Sequence, residues 1–409
     1  MRVAVITQYY PPDPQWIPAS LAQGLRDRGH EVKVLTTFPH YETGRVSYGF
    51  RQRWRDVRIE DGIPVRRVPM VASHSRNPVG RVANYVSFAC STRLARRFIA
   101  DCDVAYVYST PMTVAAGPRV WAKSLNLPYV LHVQDLWPES VTRSGFLSGP
   151  LNALAEKGLN WWLARVYARA AFLIAIAPRM RDMLVARGVE PHKARVVLNW
   201  SDDVAASPGT PSRAHATGGL SLVYAGNLGR MQEVKRIVEA VASLSELPHL
   251  VLRIAGSGVE EQHLRQLASE LEPGRVEFLG RLTPVEVGEL YARSDFQLVT
   301  LKNLPIFEGT LPSKFTTGLA HGIPAITNVP GDVSDMVAAA GLGLVALPDN
   351  TEALAAAIET AYRTSKRDRL RMSENARAYY DQHMSKLAGV IEIESALAEA
   401  LSAKRKERV

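Results

Sequence analysis

"ASLAQGLRDRGHEVKVLTT" occupies residues 19–37 and follows the short apolar run "RVAVIT" at 2–7. Leu21 and Leu25 lie one helical turn apart, Gly29 can end that helix, and "EVKVLTT" alternates as a strand. Strand, helix and strand in this order make a βαβ unit. The pattern continues with "DVAYVYS" (103–109), "YVLHVQD" (129–135), "FLIAIA" (172–177) and "ARVVLNW" (194–200), with helical stretches between most of them. That alternation predicts a parallel sheet with helices on both faces.

Residues 201–219, "SDDVAASPGTPSRAHATGG", are rich in Ser, Ala, Pro and Gly and read as a linker. The pattern then restarts: "LSLVYAGN" (220–227), "VLRIAGSG" (251–258), "VEFLGRL" (276–282), "FQLVTL" (296–301), "IPAITN" (323–328) and "GLVALP" (343–348). The expected organisation is an α/β domain over 1–200, the linker, and a second over 220–385. A C-terminal helix and basic tail over 386–409 can cross back to the first domain. Two doubly wound domains facing each other would form a cleft, because open α/β sheets bind ligands outside the carboxyl ends of their strands.

The 409 residues are enough for two such domains. No uncharged apolar run reaches 18 residues, so no membrane-spanning helix is expected. "MRVAVITQYYPP" lacks the design of a signal peptide. Cys90 and Cys102 make neither a disulfide framework nor a metal site, so a reduced, cytoplasmic protein is expected. No His, Asp, Glu and Cys grouping has metal-ligand spacing, and no nucleophile elbow is present. Charge is uneven. Residues 1–200 hold 27 Lys and Arg against 14 Asp and Glu, whereas 201–409 hold 22 against 26. The first half therefore suits an anionic partner or carries a basic solvated face.

Four places carry residues suited to chemistry. In "YAGNLGRMQEVKRIVEA" (224–240) a strand runs into Gly226, Asn227 and Gly229, with Arg230 and Lys235 at the expected helix start. Free N–H groups there favour phosphate, and Arg230 can add a bidentate pair. The same residues also suit a plain βα turn. In "FEGTLPSKFTTGLAHGIPAI" (307–326), Ser313 and Lys314 open a helix after Pro312; the second glycine of an ATP-binding P-loop is missing. This start suits a diphosphate, or is an N1 proline followed by an exposed lysine. In "HVQDLWPES" (132–140), His132, Asp135 and Glu139 are candidates for acid–base work, although a two-residue period sets His132 and Asp135 on opposite faces. Finally, Arg51, Arg53 and Arg55 surround Trp54, and "GRVANYVSFACSTRLARRFIA" (80–100) spaces Val82, Tyr85, Val86 and Ala89 helically before Arg93, Arg96 and Arg97. Such a helix lies on an anionic bilayer or packs inward with its arginines at the dipole's negative end.

Taken together, "QYYPPDP", "LRDRGHEVKVLTTFPHYETG", "EDGIPVRRVP", "NYVSFA", "QDLWPES", "YAGNLGRMQ" and "LPSKF…AHGIPAI" resemble glycosyltransferase family 4 of the GT-B fold. Within it the likeness is to bacterial O-antigen, capsule and exopolysaccharide transferases of the N-acetylfucosamine transferase kind. The resemblance implies two Rossmann-like domains. It implies a retaining, metal-independent hexosyl transfer from a nucleotide sugar, usually UDP-linked, with that sugar as substrate and no cofactor. It places the donor diphosphate at Gly226, Asn227, Arg230, Ser313 and Lys314, and the nucleotide near Arg281, Leu282, Glu308 and Thr317. The acceptor, a saccharide or a polyprenyl-diphosphate-linked one, falls to the first domain, with Arg51, Arg53, Arg93, Arg96 and Arg97 towards an anionic membrane on the inner leaflet. Three positions depart from the family pattern. Asn227 and Gln232 replace an Arg and a Lys, Thr317 replaces a ribose-binding glutamate, and "PPDPQWIP" replaces a glycine-rich turn. A UDP-sugar epimerase using Asp135 and Glu139, or a non-catalytic lipid- or polysaccharide-binding scaffold, are the other readings. A nucleic-acid partner is not expected, since no recognition motif accompanies the basic residues.

Overall fold

The computed structural model describes residues 1–41, 43–73, 78–138, 150–201 and 219–406. Apart from Ser201 and Gly219, the expected linker lies outside them. The chain divides into two compact units, Met1–Val197 with Gly389–Val409, and Leu198–Ala388.

The first unit runs β1 (Arg2–Thr7), α1 (Trp16–Asp27), β2 (Glu31–Thr37), β3 (Asp56–Glu60), β4 (Ile63–Val68), α2 (Pro78–Leu94), β5 (Val104–Ser109), α3 (Ala116–Ser124), β6 (Tyr129–Val133), α4 (Pro150–Arg169), β7 (Phe172–Ala175), α5 (Pro178–Ala186) and β8 (Ala194–Val196). Among the described residues these strands make one eight-stranded sheet, ordered β3-β4-β2-β1-β5-β6-β7-β8. β1, β5 and β6 are apolar almost throughout because helices cover both faces of a parallel sheet.

The sheet also holds a hairpin that the alternation of strands and helices does not predict. β3 pairs antiparallel with β4 across Asp61 and Gly62, both at positive φ. Asp-Gly is the favoured pair for such a turn, and "EDGI" carries it in plain view. β4 brings the fully buried Arg67 into the sheet. Its guanidinium grips both carboxylate oxygens of Glu60 and donates to the Pro11 carbonyl at 2.8 Å.

The second unit runs β9 (Leu220–Ala225), α6 (Val234–Ala242), β10 (Leu250–Ala255), α7 (Glu261–Ala268), β11 (Val276–Gly280), α8 (Pro284–Ala292), β12 (Phe296–Val299), α9 (Ser313–Ala320), β13 (Ala325–Thr327), α10 (Asp332–Ala340), β14 (Gly343–Val345), α11 (Thr351–Arg363) and α12 (Lys366–Tyr379). Its strands form a six-stranded sheet, β11-β10-β9-β12-β13-β14, parallel at every pair. Strand order reverses beside β9, where β10 lies on one side and β12 on the other. A core of Leu222, Ile237, Leu252, Leu298, Leu354 and Ile358 fills one face. Each such side chain contributes about 1.5–3 kcal/mol by leaving water.

The last helix, α13 (Lys386–Lys406), packs within the first unit. His30 Nε2 lies 2.6 Å from Glu394, Arg28 donates to the same carboxylate at 2.5 Å, and Arg195 pairs with Glu399. Gly24 on α1 permits the approach: a Cβ there would lie 2.7 Å from Val390 Cγ2. Gly24→Val should therefore destabilise the first unit by about 1–3 kcal/mol, the scale of overpacking. Adding Val390→Ala should recover most of that loss in denaturant unfolding. An unchanged midpoint for the single variant would show that the two helices do not meet there.

Candidate active site

The parallel sheet of the second unit sends the carboxyl ends of β9, β10, β11 and β12 into loops on one edge. These loops are joined by backbone hydrogen bonds. Gly226 N donates to Ala255 O at 2.9 Å, Leu228 N to Ser257 O at 3.0 Å and Gly256 N to Gly280 O at 2.7 Å. They surround a pocket of about 710 Å³. Its position, where the strand order reverses, is where open α/β sheets hold their ligands.

Of the residues expected at a donor site, the pocket gathers Gly226, Asn227, Arg281, Leu282, Ser313, Lys314 and Thr317. Ser313 and Lys314 open α9. Pro312 is its N-cap residue rather than its first helical residue, and no side chain caps the end. Arg281 donates to the Ser257 hydroxyl at 2.7 Å. Thr317, one turn into α9, lies 3.3 Å from the Ser201 hydroxyl.

Lys314 is the electrostatic centre. Its Nζ donates to the Tyr224 hydroxyl at 2.8 Å and lies 4.0 Å from the centre of the Tyr224 ring. Among the described residues, no carboxylate pairs with it. Burial pushes its pKa down to about 7, because a cation loses hydration there without gaining a counter-charge. The turn beside it is close to the lysine: a Cβ on Gly226 would come within 3.3 Å of Lys314 Cε and press on that side chain.

Two expected donor contacts are not brought to this pocket. Arg230 lies in the turn before α6, not at its start; its side chain is 79% exposed and pairs with Glu260 at 3.3 Å. Neither it nor Glu308 lines the cavity. Glu308 sits in the preceding turn, where its carbonyl accepts Asp332 N at 2.8 Å. Nearness to a glycine turn suggests Arg230, and nearness to the family's ribose-binding glutamate position suggests Glu308; the loop geometry carries both elsewhere. Conversely, Tyr224, which buttresses the pocket's lysine, escaped the sequence reading. Its only signal was a hydroxyl two residues before the glycine that follows the strand.

In the first unit, His132 is fully buried within β6. It is wedged beside Tyr106 and Tyr108, and its Nδ1 lies 2.6 Å from the Tyr106 hydroxyl. Burial lowers its pKa to about 3, which keeps it neutral. A ring sealed in the sheet cannot exchange protons with a ligand, so the acid–base expectation for His132 is corrected. Asp135, in the loop beyond β6, retains solvent access. The protein packed around it still raises its carboxyl pKa above the ordinary value. Glu139 lies outside the described residues.

The basic set is exposed: Arg51 and Arg53 precede β3, Arg93 ends α2, and Arg96 and Arg97 follow on a short 3₁₀ turn. Of the four residues spaced along α2, Val82 and Val86 do not pack inward. Asn84, Phe88, Ser91 and Thr92 are buried, whereas Val82 and Val86 are 57% and 51% exposed, with Val79 and Leu94 also outward. Asn84 takes the inward place because its amide is satisfied there: it accepts from Gln8 at 2.6 Å and donates to the Val71 carbonyl at 2.7 Å. Among the described residues, no helix is long and apolar enough to cross a membrane, and no group of three or more His, Cys, Asp or Glu side chains could hold a metal ion.

Residues 15–200 match the "Glycosyl transferase 4-like domain" and residues 211–379 the "Glycosyl transferases group 1" family. The chain belongs to the family 4 glycosyltransferases of the GT-B fold. This transferase is 24% identical over 411 residues to WcaI of Escherichia coli K12, named as a colanic acid biosynthesis glycosyl transferase; the match covers 94% of this chain and 97% of that one. Anabaena HepE, solved in complex with UDP, superposes with a TM-score of 0.69 at 15% identity, covering 98% of this chain and all of HepE. WaaG, a glycosyltransferase involved in lipopolysaccharide biosynthesis, gives 0.62 at 19% identity over 97% and 98% of the two chains. At such identities these two solved structures establish the transferase's fold.

The lowered pKa of Lys314 is directly measurable. In competitive acylation followed by mass spectrometry, Lys314 should react as an amine titrating near pH 7, well ahead of ordinary exposed lysines. Labelling that begins only in the range of a free lysine would show that water reaches the amine freely.

Proposed function

We propose that this transferase is a retaining, metal-independent enzyme that moves an N-acetylated hexose from a UDP-linked donor. The acceptor is a saccharide or a polyprenyl-diphosphate-linked sugar in cell-surface polysaccharide synthesis. The observation that carries the reading is Lys314: a shielded cation at an uncapped helix start, in a pocket whose described lining includes Arg281 and no carboxylate. A dianionic diphosphate is the ligand such a site lacks. The relatives support this context: WcaI is named for colanic acid biosynthesis, WaaG is involved in lipopolysaccharide biosynthesis, and HepE is solved with UDP.

In this reading Lys314, the α9 start and the Gly226–Asn227 turn hold the diphosphate, Arg281 and Leu282 lie towards the base, and Thr317 towards the ribose. The bond between the anomeric carbon and the diphosphate oxygen breaks, leaving its electron pair on the diphosphate. The acceptor hydroxyl bonds to the same face of the anomeric carbon, and its proton passes to the departing oxygen. Lys314 stabilises the charge that grows there, in a site where little water competes. In the first unit, the solvent-accessible carboxylate of Asp135 is assigned to a hydroxyl of the acceptor.

The exposed apolar stripe of α2 beside Arg93, Arg96 and Arg97 supports a peripheral place on the inner leaflet of the cell membrane. Apolar side chains can enter the headgroup boundary while arginines meet lipid phosphates.

Calorimetry should detect UDP binding to the wild-type protein, and Lys314→Ala should lower turnover roughly 10²-fold, the scale of one transition-state charge contact. Arg230→Ala should stay near the wild-type rate, because an exposed ion pair contributes only about 0–1 kcal/mol. No binding of any uridine nucleotide would end the UDP-donor reading. In a separate assay, the protein should sediment with phosphatidylglycerol vesicles more than with neutral ones, and Val82→Asp with Val86→Asp should reduce that binding. Equal, negligible sedimentation with both vesicle types would remove the membrane role.

A further inference from the structure

Tyr224 has no part in the reading above, yet its hydroxyl joins two walls of the pocket. It stands near the end of β9, and its side chain is fully buried. The hydroxyl donates to the Asn227 carbonyl at 2.7 Å and accepts from Lys314 Nζ at 2.8 Å. Because its one proton goes to Asn227, its lone pairs are left for the ammonium. The ring lies beneath the same Nζ, 4.0 Å from its centre. A lysine carries four rotatable bonds and costs about 2 kcal/mol of rotamer entropy to hold still. Here one residue supplies a hydrogen bond, a π face and a fixed turn against which the lysine rests.

We propose that Tyr224 is a positioning residue for the transfer: it ties the Gly226–Asn227 turn to Lys314 and holds the amine ready to meet the donor diphosphate. The inference rests on the donor pocket described above and adds a residue that does not touch the ligand.

The arrangement also makes donor binding proton-linked. Among the described residues, the ionisable side chains that contact Lys314 or share its pocket are three. Tyr224 comes from β9, Arg281 lines the same pocket from the loop after β11, and Tyr291 lines it from α8. Tyr224 and Tyr291 are both buried phenols whose pKa values are pushed upward, so they remain neutral across the physiological range. Burial sets the empty-site lysine near 7, so above that pH much of it is uncharged. An arriving diphosphate favours the ammonium and raises the pKa, so binding takes up a proton. Affinity then falls as pH rises above about 7. The Tyr224 hydroxyl accepts a hydrogen bond best from the charged form, and its loss should move the onset of that fall to lower pH.

The test is a double-mutant cycle read by calorimetry with UDP at pH 7.5. Tyr224→Phe keeps the ring and removes the hydroxyl. It should weaken UDP binding about tenfold, the scale of a hydrogen bond to a charged group. In a Lys314→Met background the same change should cost less than about twofold, because the partner is gone. Equal losses in both backgrounds would overturn the proposal and leave Tyr224 a packing residue.

The second readout is the pH profile of binding, using UDP-N-acetylglucosamine, whose doubly esterified diphosphate keeps its charge over this range. Tyr224→Phe should shift the profile to lower pH, and a uniform loss at every pH would overturn the positioning role. This readout decides the matter even if Lys314→Met binds too weakly to complete the cycle. Absence of binding to the wild-type protein would instead strike the donor reading itself.

Discussion

Parallel strands all end on the same edge of their sheet. In the second unit this leaves the loops after β9, β10, β11 and β12 no choice but to gather there. Strand order reverses at β9, so the loops on either side diverge and leave a hollow between them. The pocket is a consequence of that topology before any side chain is specified. The backbone bonds from Gly226, Leu228 and Gly256 hold its rim, and α9 enters it with an uncapped start.

Lys314 gives the hollow its chemical character. An ammonium shielded from water without a carboxylate is an unfavourable group in an empty site. Its pKa falls, and its amine leans on a phenol and a ring in place of a counter-ion. That disfavoured state is what a diphosphate relieves. The first unit shows the opposite choice: Arg67, sealed in the sheet, has Glu60 as its counter-charge and a carbonyl as a further acceptor, and so serves the sheet. Two buried cations thus differ in role because one has a partner within the chain and the other does not.

Much of the fold was legible in sequence. Strand-helix alternation, the restart at Leu220 and the apolar β1, β5 and β6 all point to two α/β sheets, since both-face burial demands continuous apolar runs. The β3–β4 hairpin does not follow from strand-helix alternation, although Asp61-Gly62 marks its turn. In the site, Gly226, Asn227, Ser313 and Lys314 stood out through their place after a strand or before a helix. Arg230 stood out for the same reason and Glu308 for its nearness to the family's ribose-binding position; neither lines the pocket, because nearness in a loop says nothing about direction. The α2 stripe shows the same limit: helical spacing identified a face, but the inward face is the one where Asn84 finds its hydrogen bonds.

By itself, then, the sequence determined most secondary elements, the parallel pairing outside the β3–β4 hairpin, and the helix start that carries Lys314. These follow from local rules: periodicity, glycine and proline at turns, and charge near a helix end. Only the tertiary structure decided that His132 is sealed in the sheet, that Arg230 points to solvent, and that Tyr224 lies under Lys314. Those outcomes depend on residues 26 to 90 positions apart meeting across strands and loops. Burial and partner, which set charge state and role, exist only once those distant segments have packed.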